Sequence, residues 1–133
     1  MANSAEGTTQ EDSKFTLDQI FHRQSLIEGW DQEKLSKQTA LCLGIGGLGS
    51  VVSMNLCRLG IKKIFLVDHD VVDVSNLNRQ LLFSKNDVGK SKVECAERTL
   101  RELHNIADTE IIGLQIDAVK KWDQIVDIAK QSD

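Results

Sequence analysis

No proline and no tyrosine occur among the 133 residues, and aromatics make up only 5% of them. Those gaps exclude nothing by themselves; other shortages do. Basic charge is not in excess: 16 Lys and Arg stand against 20 Asp and Glu, a formal charge of −4. No basic face for general nucleic-acid or membrane-surface binding is implied. No apolar run approaches the ~20 residues that would cross a bilayer. The first residues lack a basic segment followed by an apolar one, so no secretory signal is read there. Cysteine is scarce and unpaired. Cys42, Cys57 and Cys95 are scattered without a Cys-x-x-Cys pair, which argues against a disulfide framework and gives zinc no support. Small buried thiols in a reducing, cytoplasmic setting are expected instead.

What is present reads as one domain preceded by a tail. Residues 1–14 are polar and aperiodic, as a tail would be, and residues 15–133 carry the pattern of a fold. Thr16-x-x-Gln19 makes a capping box before Leu17, Ile20 and Phe21 at helical spacing, so a short helix should run to about Leu26. Asp31 can cap a second one to about Lys37. Apolar strands are expected at Thr39–Leu43, Lys63–Val67 and Glu110–Leu114. The run Ile64–Val67 is apolar throughout, which suits a parallel strand covered on both faces. Between the strands, Leu48, Val51, Val52, Leu56 and Leu59 mark one helical face, which Gly60 ends. Val93, Ala96, Leu100 and Leu103 mark another, opened by a second capping box, Ser91-x-x-Glu94. Trp122, Ile125, Val126 and Ala129 mark a last helix. Alternating strands and helices specify an α/β, Rossmann-like, doubly wound parallel sheet with short N-terminal helices. In the order 3-2-1-4 a fourth strand would pair beside the first. Only about three strands are legible, so the sheet is expected to be incomplete, with its first strand an edge.

The first strand runs into Gly44-x-Gly46-Gly47-x-Gly49 and then a helix. This matches the dinucleotide fingerprint, and Asp68 falls where an acid bonds a ribose hydroxyl. Glycines alone do not choose the nucleotide, because any phosphate at a helix N-terminus wants close backbone approach. The segment after Asp70 does. Asn76, Arg79 and Gln80 cluster on one turn, and Lys92 opens a helix. A dinucleotide carries about two negative charges, which amides and a helix terminus can satisfy; ATP carries nearly four and needs side-chain cations or a metal. The cluster sits past the carboxyl end of a strand, where ligands bind in such sheets. His69 lies between Asp68 and Asp70. Alternation on an extended segment points it away from both, so no metal site is assigned there.

Taken together, "GIGGLGS", "LVDHDVVDVSNLNRQLLF" and "DVGKSKVECA" resemble the ThiF/MoeB/HesA superfamily of adenylyltransferases, relatives of the ubiquitin-activating enzymes. The likeness runs from Phe21 to about Asp117. It implies ATP-dependent adenylation of the C-terminal glycine of a ubiquitin-like or sulfur-carrier protein by a homo- or heterodimer. By that resemblance Gly44, Gly46, Gly47 and Gly49 cradle the nucleotide. Asp68 holds the ribose and Asp70 lies near ribose or magnesium. Asn76 and Arg79 contact phosphates, with Gln80 a further neutral donor on the same turn, and Lys92 neutralises the charge that builds on them. Arg23, by itself only one cation on a short helix, matches an arginine that reaches into the neighbouring subunit's site. The resemblance also places the magnesium-binding aspartate, the zinc motifs and most of the acceptor groove downstream of Asp133. A non-catalytic or truncated partner subunit and a tRNA threonylcarbamoyladenosine dehydratase-like enzyme are therefore alternatives. An NAD-dependent dehydrogenase fits the cationic cluster poorly.

Overall fold

The computed structural model describes residues 14–133, so all but the last residue of the expected tail lies outside it. Residues up to Trp30 form one unit and residues 31–133 another. In the first, helix α1 (Leu17–Ser25) starts at the expected capping box. Thr16 Oγ1 accepts from Gln19 N–H at 3.3 Å, and Gln19 Oε1 accepts from Thr16 N–H at 2.9 Å. Arg23 is exposed on this helix.

The second unit runs α2 (Gln32–Leu35), β1 (Thr39–Leu43), α3 (Gly47–Leu59), β2 (Lys63–Val67), α4 (Lys92–Leu103), β3 (Glu110–Leu114) and α5 (Trp122–Ala129). Asp31 caps α2 as expected, but that helix ends at Leu35. The three strands have the expected bounds. They form one parallel sheet in the order β1-β2-β3, with Thr39 beside Lys63 and Lys63 beside Glu110. The central strand is covered on both faces: Ile64, Phe65, Leu66 and Val67 are all buried. They join Ile45, Cys57, Val93, Ala96, Leu100 and Ile111 in the core. The three cysteines are free and buried, and burial raises their thiol pKa values, as expected of inert packing residues.

Helix α3 buries a different face from its most apolar one. Leu48, Val51 and Val52 are exposed, while Ser50, Ser53 and Cys57 are buried. The cause is proximity. A methyl group on Gly49 would stand 2.0 Å from the carbonyl oxygen of Gly44, so only small side chains fit between this helix and the turn before it. Helix α4 buries Val93, Ala96 and Leu100 as expected, but leaves Leu103 exposed. Its expected capping box does not form. Ser91 sits in an antiparallel bridge with Val71, and its buried hydroxyl has no partner.

The two margins of the sheet differ. On β3, residues 111 and 113 turn their backbone groups away from β2. Arg101 donates to the Ile111 carbonyl at 2.8 Å, and Gly113 N–H donates to Glu97 at 3.1 Å. Side chains of α4 thus take two of the outward groups on that edge. On β1, Gly44 N–H donates to Val67 O at 2.7 Å, so residues 39, 41 and 43 face the other way. Thr39 exchanges two bonds with Asp133, both at 2.9 Å. The outward groups of Leu41 and Leu43 meet no bonded partner among the described residues.

Candidate functional site

The carboxyl ends of the strands open onto a cleft of about 340 Å³, lined by Leu43, Gly44, Val67, Asp68 and the segment after β3. The glycine turn begins at its wall, with Gly44. Gly44 takes φ +85°, a left-handed geometry that suits glycine, and Gly46 is the N-cap of α3. The amides of the first turn of α3 therefore point out of the turn with the positive end of the helix dipole. One acid ties the turn to the second strand: Asp68 accepts from Ile45 N–H at 2.7 Å and from Asp70 N–H at 2.9 Å. Each carboxylate oxygen has capacity for another donor.

The segment carrying Asn76, Arg79 and Gln80 folds over this turn. A methyl group on Gly47 would lie 3.7 Å from Cγ of Arg79, and one on Gly46 would lie 3.8 Å from Nε2 of Gln80. The short 3-10 turn Val74–Asn76 explains the placement. Asp73 caps it by accepting from Ser75 N–H at 2.8 Å, and Asn76 Oδ1 accepts from Asp73 N–H at 2.9 Å. Asn76 thus commits its oxygen to the loop and keeps amide hydrogens to offer. Arg79 is exposed and rests its guanidinium on Ser75 O and Asn78 Oδ1, both at 3.0 Å. Gln80 is 4% exposed, with its Oε1 unpartnered.

Lys92 is the largest departure from what its type suggests. A lone surface lysine is the ordinary outcome, yet Lys92 is 6% exposed. Its ammonium reaches Asp70 Oδ2 at 3.3 Å. Ile45, Asp68, Asp70 and Lys92 form one bonded chain from the turn to the ammonium. His69 also departs from expectation. It does not point away from its neighbours; its Nε2 lies 3.2 Å from Asp70 Oδ1. Strand β2 ends at Val67, so period-two alternation no longer governs residues 68–70. Asp68, His69 and Asp70 bring one ligand atom each within 4.8 Å of one another.

Two groups near the site are not singled out by sequence motifs. Ile116, Asp117, Ala118 and Val119 line the cleft. Asp117 Oδ1 accepts from Val119 and Lys120 amides at 3.0 and 3.2 Å, and these bonds hold its carboxyl below the usual range. An Asp two residues before an exposed apolar residue is the only trace such a loop leaves. The second is Asp87, 1% exposed. Burial alone would push its carboxyl up; the bonds from Ser84 and Arg98 outweigh this and hold it at about 2. A folded-state pKa below the unfolded one gives stability that is complete above about pH 4 and is lost as pH falls through about 2. Wild-type protein should therefore destabilise over that window more steeply than Asp87→Asn, as read by urea midpoints at a series of acid pH values.

No helix among the described residues is long and apolar enough to cross a membrane. The family model described as "ThiF family" matches residues 18–133. The chain is 37% identical to the "Probable molybdopterin-synthase adenylyltransferase" of Porphyra purpurea, over 76% of this chain and 28% of that protein. It is 36% identical to the "Ubiquitin-like modifier-activating enzyme 5" of Xenopus laevis, over 79% of this chain and 26% of that protein. It is 46% identical to "tRNA threonylcarbamoyladenosine dehydratase 2" of Saccharomyces cerevisiae, over 69% and 22%. Among solved structures it resembles E. coli MccB with ATP, at TM-score 0.64 and 34% identity, over 72% of this chain and 28% of that one. The chain thus spans only about a quarter of the length of these relatives. With a glycine turn tied to an acid after β2, with Arg79 and Gln80 set against Gly47 and Gly46, and with the family model matched over almost its whole folded length, this chain belongs to the ThiF family.

Proposed function

We propose that this chain carries the nucleotide half-site of an enzyme that adenylates the C-terminal carboxylate of a ubiquitin-like or sulfur-carrier protein with ATP. One observation carries this reading: the Arg79–Gln80 segment lies against Gly46 and Gly47, with Lys92 bonded to the acid that follows β2. In the reaction the carboxylate attacks the α-phosphorus and pyrophosphate leaves. The nucleophile needs no base, because a chain-terminal carboxyl has a pKa of roughly 3.3–3.7. Catalysis then reduces to alignment and charge stabilisation.

In this reading the backbone of Gly44, Gly46, Gly47 and Gly49 lets the phosphates approach α3, and Asp68 accepts from the ribose hydroxyls. Asn76 and Gln80 offer neutral donors, Arg79 grips phosphate oxygens, and Lys92 supplies a fixed positive charge. Magnesium, when bound, neutralises phosphate charge beside Asp70. Arg23 serves the neighbouring subunit of a dimer. Three free, buried thiols suit a reducing, cytosolic compartment.

Calorimetric titration with ATP–magnesium and with NAD tests the assignment. Saturable binding of ATP, at least about tenfold tighter than NAD, is expected, because the added negative charge meets added cations. Selective NAD binding would sink the proposal. A second reading, activation of a tRNA-linked carboxylate, is favoured by the 46% identity to the yeast dehydratase. The formal charge of −4 weighs against it, since tRNA wants a basic surface.

A further inference from the structure

The buried acid Asp87 stands outside every role assigned above, yet it sits between the two parts of the cationic cluster. Its Oδ2 accepts from Ser84 N–H at 2.8 Å and from Ser84 Oγ at 2.9 Å; its Oδ1 accepts from Arg98 Nη2 at 2.8 Å. The residues that follow it are bonded to the end of the segment after β2. Gly89 N–H donates to Val72 O at 2.8 Å, Val72 N–H donates to Lys90 O at 2.8 Å, and Lys92 N–H donates to Asp70 O at 3.1 Å. On the other side, Thr99 Oγ1 donates to Leu82 O at 2.9 Å, two residues past Gln80. Helix α4 therefore grips the 82–87 segment twice, once at Leu82 through Thr99 and once at Asp87 through Arg98. The first grip follows Arg79 and Gln80. The second precedes Lys92.

We infer that Asp87 is a positioning residue that, through Arg98 and Ser84, fixes the spacing between the Arg79–Gln80 segment and Lys92, and so sets the fit of the site to the outer phosphates of the nucleotide. This inference rests on the ATP reading above. Stability by itself is a poor reason for the arrangement. Only the acid of this pair is buried, Arg98 being 43% exposed; taking a carboxylate out of water costs stability, and the best-attested use of such a pair is to fix one geometry among several. Here the geometry fixed is that of a loop with donors at both ends. In the reading above Asp68 serves the ribose, and its bonds run to Ile45 and Asp70 rather than to Asp87.

That separation gives the test. Titration of the protein with AMP reads the nucleoside and its α-phosphate, and titration with ATP–magnesium adds the outer phosphates. Asp87→Asn keeps the shape and removes the charge. It is expected to weaken ATP binding about tenfold, in line with the loss of a charged hydrogen bond, and AMP binding less than about twofold. Asp87→Glu, which keeps the carboxylate, is expected to recover part of the preference for ATP. Equal weakening of both nucleotides, or none of either, would overturn the inference and leave Asp87 a packing residue. If Asp87→Asn does not fold by circular dichroism, Arg98→Gln is read in the same way, with the same overturning results. Wild-type protein that binds ATP no better than AMP would instead defeat the ATP reading, and the positioning role with it.

Discussion

Alanine at Lys92 should lower ATP–pyrophosphate exchange by ~10²–10³ in an enzyme that contains this half-site, the usual loss when one donor to a developing oxyanion is removed. The effect should exceed that of a typical surface lysine for two reasons. The ammonium is buried and already tethered at 3.3 Å to Asp70, so little ordering remains to be done when phosphate arrives. Its removal also leaves the Asp70 carboxylate without that counterion, facing the incoming anion. Arg79→Ala should fall in the same range. Its stem rests over Gly47, and among the described residues its guanidinium is held by Ser75 O and Asn78 Oδ1, neutral acceptors that a phosphate can replace. Thermal melting should change little for Arg79→Ala, whose side chain is exposed. An exchange rate that stays at the wild-type value in either variant removes that residue from the mechanism.

The largest effect on folding is expected from Gly49→Ala. The new methyl carbon would stand 2.0 Å from the Gly44 carbonyl oxygen and 3.0 Å from its carbon. Backbone cannot rotate away as a side-chain tip can, so the start of α3 must move off the turn. Overpacking of this kind costs about 1–3 kcal/mol and sometimes more. It should appear as a lower urea midpoint together with lost nucleotide binding. Gly46→Ala offers the contrast. Its methyl group would meet only Gln80 Nε2 at 3.8 Å, an ordinary contact, so the fold should be kept and any loss should fall on the ligand. An unchanged urea midpoint for Gly49→Ala would show that α3 does not depend on that close approach.

The glycine motif thus serves two purposes that the letters alone do not separate. Gly49 is required by helix packing, whereas Gly46 and Gly47 lie beneath the Arg79–Gln80 segment. The strands were legible to the residue because each is a short apolar run between clear breakers, and their parallel order followed from the intervening helices. The approach of Arg79 and Gln80 to the glycine turn was easier to anticipate, because both follow β2 closely and are neighbours in sequence. What stayed hidden depended on distance in space. The buried face of α3 is set by clearance above Gly44, a quantity that hydrophobicity does not encode, and so the serines went inward. Ser91 was diverted from capping by a bridge to a residue 20 positions earlier, Val71. His69 escaped the alternation rule because the strand had already ended. Asp87 reads as an ordinary loop acid until Arg98, on the next helix, is brought beside it.

The unequal margins of the sheet limit how this protein can associate. Open-ended stacking of sheets needs two exposed borders on every molecule, one to receive and one to offer. Among the described residues, Arg101 and Glu97 take the Ile111 carbonyl and the Gly113 amide on the β3 border, whereas both groups of Leu41 and of Leu43 are unbonded on the β1 border. A companion strand laid beside β1 would thus find a continuous run of donors and acceptors, while one laid beside β3 would have to displace two side chains before it could pair in full.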